Sequence, residues 1–279
     1  MKYLVFDCHY FCWRAFHSSG KLSHNDKGTG VIYGFVTQIL IMCRQFGLTD
    51  PVFMWDSRKR FRSQVLPGYK KRDQPKTDEE KEAFLDACGQ IQTIRTTIMP
   101  LLGFGNSFIQ TGLEADDLIA IFVKERRGQS VVLTNDEDLL QLTDDCAWYS
   151  PAKKKLINGR TFRAEYGITP RQWAEVKAIA GCNSDKVPGV AGVGNTTALR
   201  YLKGELTKGK KFEDIVSYEG KRIAGFNKQL VDLPHAATKP IKLQKDNFNP
   251  EGFLAICDLY GFKKLAGEVD EWIRHFKKM

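Results

Sequence analysis

The chain has 279 residues, of which 42% are hydrophobic and 27% are charged, and its formal net charge is +9. This composition excludes a disordered chain, and no apolar run approaches the ~20 residues needed to cross a bilayer. The positive charge favours a polyanionic partner, nucleic acid first and an acidic membrane surface second.

Strands and helices are predicted to alternate in the first half of the chain. Apolar runs predict strands, and longer periodic stretches predict helices: strand 3–6, helix 31–46, strand 51–55, helix 78–102, strand 107–109, helix 113–124 and strand 130–134. Such alternation is typical of a parallel sheet with right-handed crossovers. The pattern after residue 150 is mostly helical. We therefore predict an α/β core over 1–150 and a helical region over 151–279, with one continuous domain as the alternative.

The cysteines and the N-terminus bear on the compartment. Seven scattered cysteines without a close CxxC pair predict reduced thiols. The first residues reach an acid at Asp7, which is too early for a signal peptide. We therefore expect a soluble, cytoplasmic monomer that does not associate with membranes.

Acidic residues follow the predicted strands. Asp7 and Asp56 end the first two strands, and Asp136 and Asp138 follow the fourth, so they are expected at one edge of the sheet. Further acids stand at the start of the helix predicted over 113–124 and later in the chain: Glu114, Asp116, Asp117 and Asp185. Any single one of these acids has a helix cap as its alternative reading.

Crowded carboxylates repel one another unless cations lie between them. Hard oxygen ligands suit Mg²⁺ or Mn²⁺. Two such ions about 4 Å apart can activate a water and stabilise the leaving oxygen of a phosphodiester. The acids as a set therefore predict metal-assisted hydrolysis.

Two further segments indicate phosphate binding. Between Arg58 and Lys76 lie eight basic residues and one acid, interleaved with aromatic residues. Basic side chains bind phosphates and aromatic rings stack on unpaired bases, although a solvated charged loop is the alternative. The segment Gly189 to Gly194 precedes a helix predicted to begin near Asn195. Backbone N–H groups there can grip a phosphate, and a plain helix connection is the alternative.

Taken in chain order, these motifs resemble the 5′ nuclease (flap endonuclease) superfamily over residues 3–235. That superfamily includes free-standing phage enzymes and the N-terminal nuclease domain of bacterial DNA polymerase I. The resemblance is carried by Asp7 with Trp13-Arg14-Ala15-Phe16, Asp56 with Phe61-Arg62, Pro67-Gly68-Tyr69-Lys70, Glu114-Ala115-Asp116-Asp117, Thr134-Asn135-Asp136-Glu137-Asp138 with Gln141-Leu142, Gly181 to Gly194, and Leu230 to Pro234. The segment Gly181 to Gly194 is similar to the helix–three-turn–helix motif of that family.

The resemblance implies a PIN-like α/β fold with a mostly parallel sheet, a helical arch and a helix–three-turn–helix region that binds duplex DNA. It implies a metal-dependent 5′-3′ exonuclease or flap endonuclease, which cuts near single-strand/duplex junctions by two-metal catalysis. The first metal would be held by Asp7, Asp56, Glu114, Asp116, Asp136 and Asp138, and the second by Asp117 and Asp185. Lys70, assisted by Arg72, would neutralise the scissile phosphate. DNA contacts would come from Trp13, Arg14, Arg62, Tyr69, Lys71, Lys186, Gly189, Gly192, Gly194 and Asn195.

The resemblance also implies cofactors and partners. Mg²⁺ is the expected cofactor, Mn²⁺ is expected to substitute for it, and K⁺ is expected at the helix–three-turn–helix loop. The expected partners are branched or 5′-ended DNA, an RNA/DNA hybrid and a replication polymerase. A phage-encoded chain would act in the host cytoplasm.

One departure from the family motif leaves alternatives open. The motif opens with Gly-Asp, whereas here Gly181 is followed by Cys182, and Lys186 stands beside Asp185. A thiol is a poor Mg²⁺ ligand, so the second metal site is expected to be weak. The alternative function is a branched-DNA-binding replication protein with little nuclease activity. A PIN-type nuclease acting on RNA is a third reading, against which the helix–three-turn–helix argues.

Overall fold

The computed structural model describes residues 1–71 and 77–277, which adopt an α/β fold with a mostly parallel central sheet. Up to residue 142 the elements are β1 Tyr3–Asp7, α1 Cys8–Ser19, β2 Ser23–His24, β3 Lys27–Gly28, α2 Gly30–Phe46, β4 Asp50–Met54, α3 Arg62–Val65, α4 Asp78–Thr93, a π-helical segment Ile94–Ile98, α5 Met99–Leu101, β5 Ser107–Phe108, α6 Ala115–Glu125, β6 Ser130–Leu133 and a 3₁₀ helix Glu137–Leu142. The remainder comprises β7 Ala147–Ser150, β8 Lys155–Ile157, α7 Gly159–Tyr166, a 3₁₀ helix Pro170–Gln172, α8 Trp173–Ala180, β9 Gly181–Cys182, β10 Val187–Pro188, α9 Asn195–Leu202, α10 Lys210–Val216, α11 Tyr218–Val231, α12 Pro250–Leu259, α13 Lys263–Ala266 and α14 Val269–Phe276. None of the helices within the described ranges is long and apolar enough to span a membrane.

The described residues divide into two compact units. The first contains residues 1–56, 77–108 and 241–277, and the second contains residues 57–71 and 109–240. The chain thus enters the first unit more than once. Each unit combines separate stretches of the chain, whereas the sequence prediction divides the chain once. The boundary near residue 150 therefore stays a prediction.

In the first unit, β4 lies between β5 and β1, and all three strands run parallel. All five residues of β1 are buried, which explains its unbroken apolar run. β1 and β4 pair in a register that sets Asp7 opposite Met54. Helix α1 begins directly after β1 because the Asp7 carboxylate accepts a hydrogen bond from the Tyr10 N–H at 3.2 Å.

In the second unit, β7 lies between β6 and β8, parallel to β6 and antiparallel to β8. β9 and β10 form a separate antiparallel pair, in which Cys182 faces Val187. Helices α8 and α11 pack against each other, and Asn227 of α11 donates hydrogen bonds to the carbonyls of Ala178 and Pro188. This arrangement fixes the β9–β10 turn on the two helices.

The predicted elements of the first half are present, with small differences at their ends. The helix predicted over 78–102 contains an i→i+5 segment, in which the Met99 N–H bonds to the Ile94 carbonyl just before Pro100, a residue without an N–H. The helix predicted from Leu113 begins at Ala115, because Glu114 is the extended N-cap residue. The predicted helical arch includes residues 72–76, which lie outside the described ranges, so it stays a prediction.

Candidate active site

Acidic side chains of the second unit collect around the end of β6 and the start of α6. Asp136 caps the 3₁₀ helix that follows β6, and its carboxylate accepts a hydrogen bond from the Asp138 N–H at 2.8 Å. Asp116 lies in the first turn of α6. Asp185 lies in the β9–β10 turn, where its N–H donates to the Cys182 carbonyl. The sequence prediction named these four acids as metal ligands.

Two lysines neutralise this acidic cluster. The Lys70 ammonium lies 2.9 Å from Glu114 Oε1 and 3.9 Å from both Asp116 Oδ2 and Asp185 Oδ2. The Lys177 ammonium lies 2.8 Å from Asp138 Oδ1. An opposite charge at 4 Å contributes about 4 kcal/mol at an effective dielectric constant near 20, so several carboxylates together outweigh the desolvation of one amine.

The pKa values follow from this crowding. Burial raises the pKa of Asp136 to about 7, and the neighbouring Asp138 adds to the shift. Burial likewise raises the pKa of Asp185, while Lys70 opposes it. Burial disfavours the charged form of Lys70, but Asp116 and Glu114 prevail and raise its pKa well above the ordinary value. The cluster therefore favours additional positive charge, which is the condition for binding a divalent cation.

Three donor atoms lie close enough to share an ion. One ligand atom each from Asp138, Cys182 and Asp185 falls within 4.8 Å of the other two. Asp138 Oδ1 is paired with the Lys177 ammonium at 2.8 Å. Two carboxylates and a thiol at these separations fit a divalent ion.

Asp117 forms a buried ion pair with Arg62. Its two oxygens accept hydrogen bonds from Arg62 Nη1 at 2.6 Å and Nη2 at 2.8 Å, and further bonds from the backbone N–H groups of His235 and Glu114. Asp117 is fully buried, and Arg62 is 3% exposed. These bonds engage both carboxylate oxygens and favour a structural role, while the predicted roles of Asp117 as a second-metal ligand and of Arg62 as a DNA contact stay predictions.

Tyr69 is buried beside Glu114. The ring is 6% exposed, and its hydroxyl donates to Glu114 Oε2 at 2.8 Å. The predicted contact of Tyr69 with DNA stays a prediction. Glu114 itself is buried and lies 3.2 Å from Arg60 Nε as well as near Lys70. Its role as a ligand of the first metal stays a prediction.

The predicted residues of the first unit stand at neighbouring strand ends. Asp7 is the last residue of β1, and Asp56 lies two residues after β4, the parallel partner of β1. The Asp56 N–H donates to His9 Nδ1 at 3.1 Å, and the same ring nitrogen lies 3.6 Å from Asp56 Oδ2. Trp13 stacks on Phe84 at 5.3 Å, so one face of the indole is already covered. Arg14, the neighbouring predicted DNA contact, is half-buried.

The predicted duplex-binding loop connects β10 to α9. Gly194 is the N-cap residue of α9, and Asn195 is its first residue and is exposed. Gly192 has a φ of +67°, and its carbonyl accepts a hydrogen bond from the Lys211 ammonium. Gly189 is required by packing, since a Cβ there would lie 2.1 Å from the Ala180 carbonyl oxygen. Exposed Lys71 and Lys186 carry positive charge at the surface, and Arg72 lies outside the described residues.

Lys177 was not singled out by the sequence reasoning. It lies on α8 in the segment Trp173-Ala174-Glu175-Val176-Lys177, and its side chain is only 9% exposed. The available signal was a lone lysine one helical turn before Gly181, on a helix whose other residues are largely apolar.

The family model for the 5′-3′ exonuclease N-terminal, resolvase-like domain matches residues 2–167. The chain belongs to this 5′-3′ exonuclease family. The thermostable DNA polymerase I of Thermus thermophilus is 31% identical over 207 residues, which are 72% of this chain and 24% of that protein. The chain thus spans about a quarter of the length of such polymerases.

Solved structures share the fold along nearly the whole chain. A T5 5′-exonuclease structure with bound divalent zinc ions has a TM-score of 0.70 at 19% identity and covers 97% of this chain and 99% of its own. A bacteriophage T5 flap endonuclease in a complex with DNA and metal ions has a TM-score of 0.68 at 18% identity, with 97% and 98% covered. At this identity the likeness establishes the fold.

Proposed function

We propose that this chain is a structure-specific 5′ nuclease that hydrolyses phosphodiester bonds near single-strand/duplex junctions. The observation that carries the proposal is the group of carboxylates after β6 and around α6, which are partly buried and whose charge is balanced by the amines of Lys70 and Lys177. Acids are not gathered in this way for stability, because their mutual repulsion costs free energy. In a member of the 5′-3′ exonuclease family, these carboxylates can serve as ligands of divalent metal ions.

We assign the first divalent ion to Asp116, Asp136 and Asp138, with Asp7, Asp56 and Glu114 as further predicted ligands. Asp185 serves the second ion. Mg²⁺ is the proposed ion, with Mn²⁺ as its substitute, because the donors are mainly carboxylate oxygens. When bound, such ions lower the pKa of water and stabilise the leaving oxygen.

Lys70 is proposed to act on the phosphate. Its ammonium is held among Glu114, Asp116 and Asp185, and its backbone N–H donates to the Asp185 carbonyl at 2.9 Å. A cation bound to the acids would replace the ammonium as their counter-charge. The ammonium would then be available to neutralise a phosphate beside the acids. Arg72 keeps its predicted assisting role.

DNA is the proposed partner. The exposed loop before α9, with Gly192, Gly194 and Asn195, offers backbone N–H groups to duplex phosphates, and Lys71 and Lys186 add charge. K⁺ at this loop, activity on an RNA/DNA hybrid, a polymerase partner and a monomeric state are further proposals. The net charge of +9 supports binding to a polyanion.

The second candidate function is a branched-DNA binder with little nuclease activity. It is favoured by Cys182, which stands beside Asp138 and Asp185 where the family motif has an aspartate. One assay separates the two candidates. An end-labelled 5′-flap duplex is incubated with the chain in Mg²⁺, Mn²⁺ or EDTA, beside a fully paired duplex as the matched control.

We expect cleavage near the junction in Mg²⁺ or Mn²⁺, none in EDTA, and little cleavage of the paired duplex. Binding of the flap duplex without cleavage in either ion would overturn the nuclease proposal and support the binder. Cleavage that persists in EDTA would contradict the role assigned to the acids.

A further inference from the structure

The group formed by Asp138, Cys182 and Asp185 contains two kinds of donor. Cys182 ends β9, and Asp185 follows it in a turn closed by the hydrogen bond from the Asp185 N–H to the Cys182 carbonyl at 3.2 Å. Asp138 reaches the same place from the 3₁₀ helix after β6. The three ligand atoms lie within 4.8 Å of one another, so a single ion can contact all of them.

A second observation shows that this place is built to receive positive charge. The Lys177 ammonium lies 2.8 Å from Asp138 Oδ1, and its side chain is only 9% exposed. A largely buried amine is thus held against the carboxylate oxygen of this group. Ser184 lies against both neighbours, with its Oγ 3.0 Å from the Cys182 sulfur and 3.4 Å from Asp185 Oδ1.

We propose that Asp138, Cys182 and Asp185 form a mixed thiolate and carboxylate site that selects a thiophilic divalent ion such as Zn²⁺, Co²⁺ or Cd²⁺ over Mg²⁺. Thiolate sulfur is a soft ligand that Mg²⁺ accepts poorly, whereas Zn²⁺ and Co²⁺ bind sulfur and oxygen together. The proposal deepens the proposed function, since the site is part of the same acidic cluster. Cys182 determines which class of ion binds as the second metal ion.

Binding must remove the thiol proton. The S–H bond breaks, the sulfur keeps the electron pair and donates it to the ion, and the proton leaves to solvent. Uptake of a thiophilic ion is therefore expected to release one proton.

The test is a Co²⁺ titration of the full chain, stripped with EDTA and kept reduced, without nucleic acid. A thiolate bound to Co²⁺ gives a charge-transfer absorption band in the near ultraviolet. We expect this band at one equivalent in the wild type and in Cys88→Ser, and its loss in Cys182→Ser. Cys88 is the matched control, because it and Cys182 are the partly exposed cysteines among the described residues.

Affinity adds a second measurement. Asp185→Asn should weaken Co²⁺ binding by at least about 10-fold, and Asp258→Asn, an exposed acid on α12, should leave it unchanged. Excess Mg²⁺ should displace Co²⁺ from Cys182→Asp but not from the wild type. A wild type without the band, or a band that persists in Cys182→Ser, would overturn the proposal.

The outcome is separable from that of the proposed function. Mg²⁺-dependent cleavage by a chain that shows no band would overturn this proposal and leave the nuclease in place. A band that depends on Cys182, in a chain that never cleaves, would support the site and overturn the nuclease.

Discussion

Lys70 contacts the acidic cluster and is proposed to act on the scissile phosphate. Its backbone has a φ of +49°, which is uncommon for a residue other than glycine, and its ammonium lies among three carboxylates. Strain of this kind is kept where the surrounding contacts over-determine it. Both features fit a lysine whose ammonium is held in place to bind a phosphate.

Replacing Lys70 with alanine should lower the cleavage rate at saturating DNA by about 100-fold, while the dissociation constant changes by less than about 3-fold. The reason is that one positive charge placed at the reacting phosphate acts mainly on developing negative charge. Single-turnover rates and binding isotherms on the same flap duplex measure both effects. Lys71→Ala, at the exposed neighbour, should weaken binding instead. Loss of affinity alone in Lys70→Ala would make Lys70 a general phosphate contact.

Asp117 shows how a residue of the acidic motif can be structural. Its carboxylate holds the Arg62 guanidinium, whose Nε also donates to the Leu230 carbonyl at 2.8 Å. Asp117→Ala removes the bidentate partner of a buried guanidinium and leaves it only the longer contact to Glu114 Oε2 at 3.3 Å, so the free energy of unfolding should fall by about 3 kcal/mol. Denaturant unfolding in EDTA measures it, with Asp258→Ala as the exposed control. Unchanged stability in EDTA, with weaker Mg²⁺ binding, would instead support the predicted role of Asp117 as a metal ligand.

At the scale of elements, the alternation of strands and helices was predictable because its signals are local. The buried strands β1, β4 and β6 read as continuous apolar runs, and each is followed closely by an acid. Helix α1 was missed because its apolar residues are mixed with His9, Arg14 and His17.

The long-range contacts were not predictable from local patterns. Arg62 and Asp117 are 55 residues apart, and nothing in the basic segment distinguishes the arginine that becomes buried from those that stay in water. The same holds for Lys177, whose partner Asp138 comes from another element. The positions of the acids could be predicted from the strands that they follow. The positions of the basic side chains depend on the tertiary fold.

The β9–β10 turn and α9 depend on close backbone packing. A Cβ at Gly189 would lie 2.1 Å from the Ala180 carbonyl oxygen, so backbone must move. Gly189→Ala should therefore lower the free energy of unfolding by about 1–3 kcal/mol. Gly194→Ala is the matched control, because its Cβ would meet nothing within 4 Å at a φ of −99°. Equal stability of the two variants in denaturant titrations would show that the turn relaxes without cost.

At the scale of the whole molecule, the net charge of +9 should govern binding to nucleic acid. Each neutralised phosphate of a duplex contributes a slope of about −0.9 to the plot of log affinity against log salt. Several lysine and arginine contacts should give a total slope of roughly −4 or steeper. Fluorescence anisotropy across a salt series in EDTA measures this slope without cleavage. Affinity that scarcely depends on salt would contradict a phosphate-based contact.

The most direct test of the account measures cleavage and binding together in Asp136→Asn. Asp136 lies beside Asp138 after β6, and replacing its carboxylate removes a proposed metal ligand while it reduces repulsion of the phosphate. On a 5′-flap duplex in Mg²⁺, the cleavage rate should fall by at least about 100-fold, with DNA affinity equal or higher. Asp258→Asn should match the wild type in both measurements. Cleavage by Asp136→Asn at the wild-type rate would contradict the assignment of these acids to metal-assisted hydrolysis.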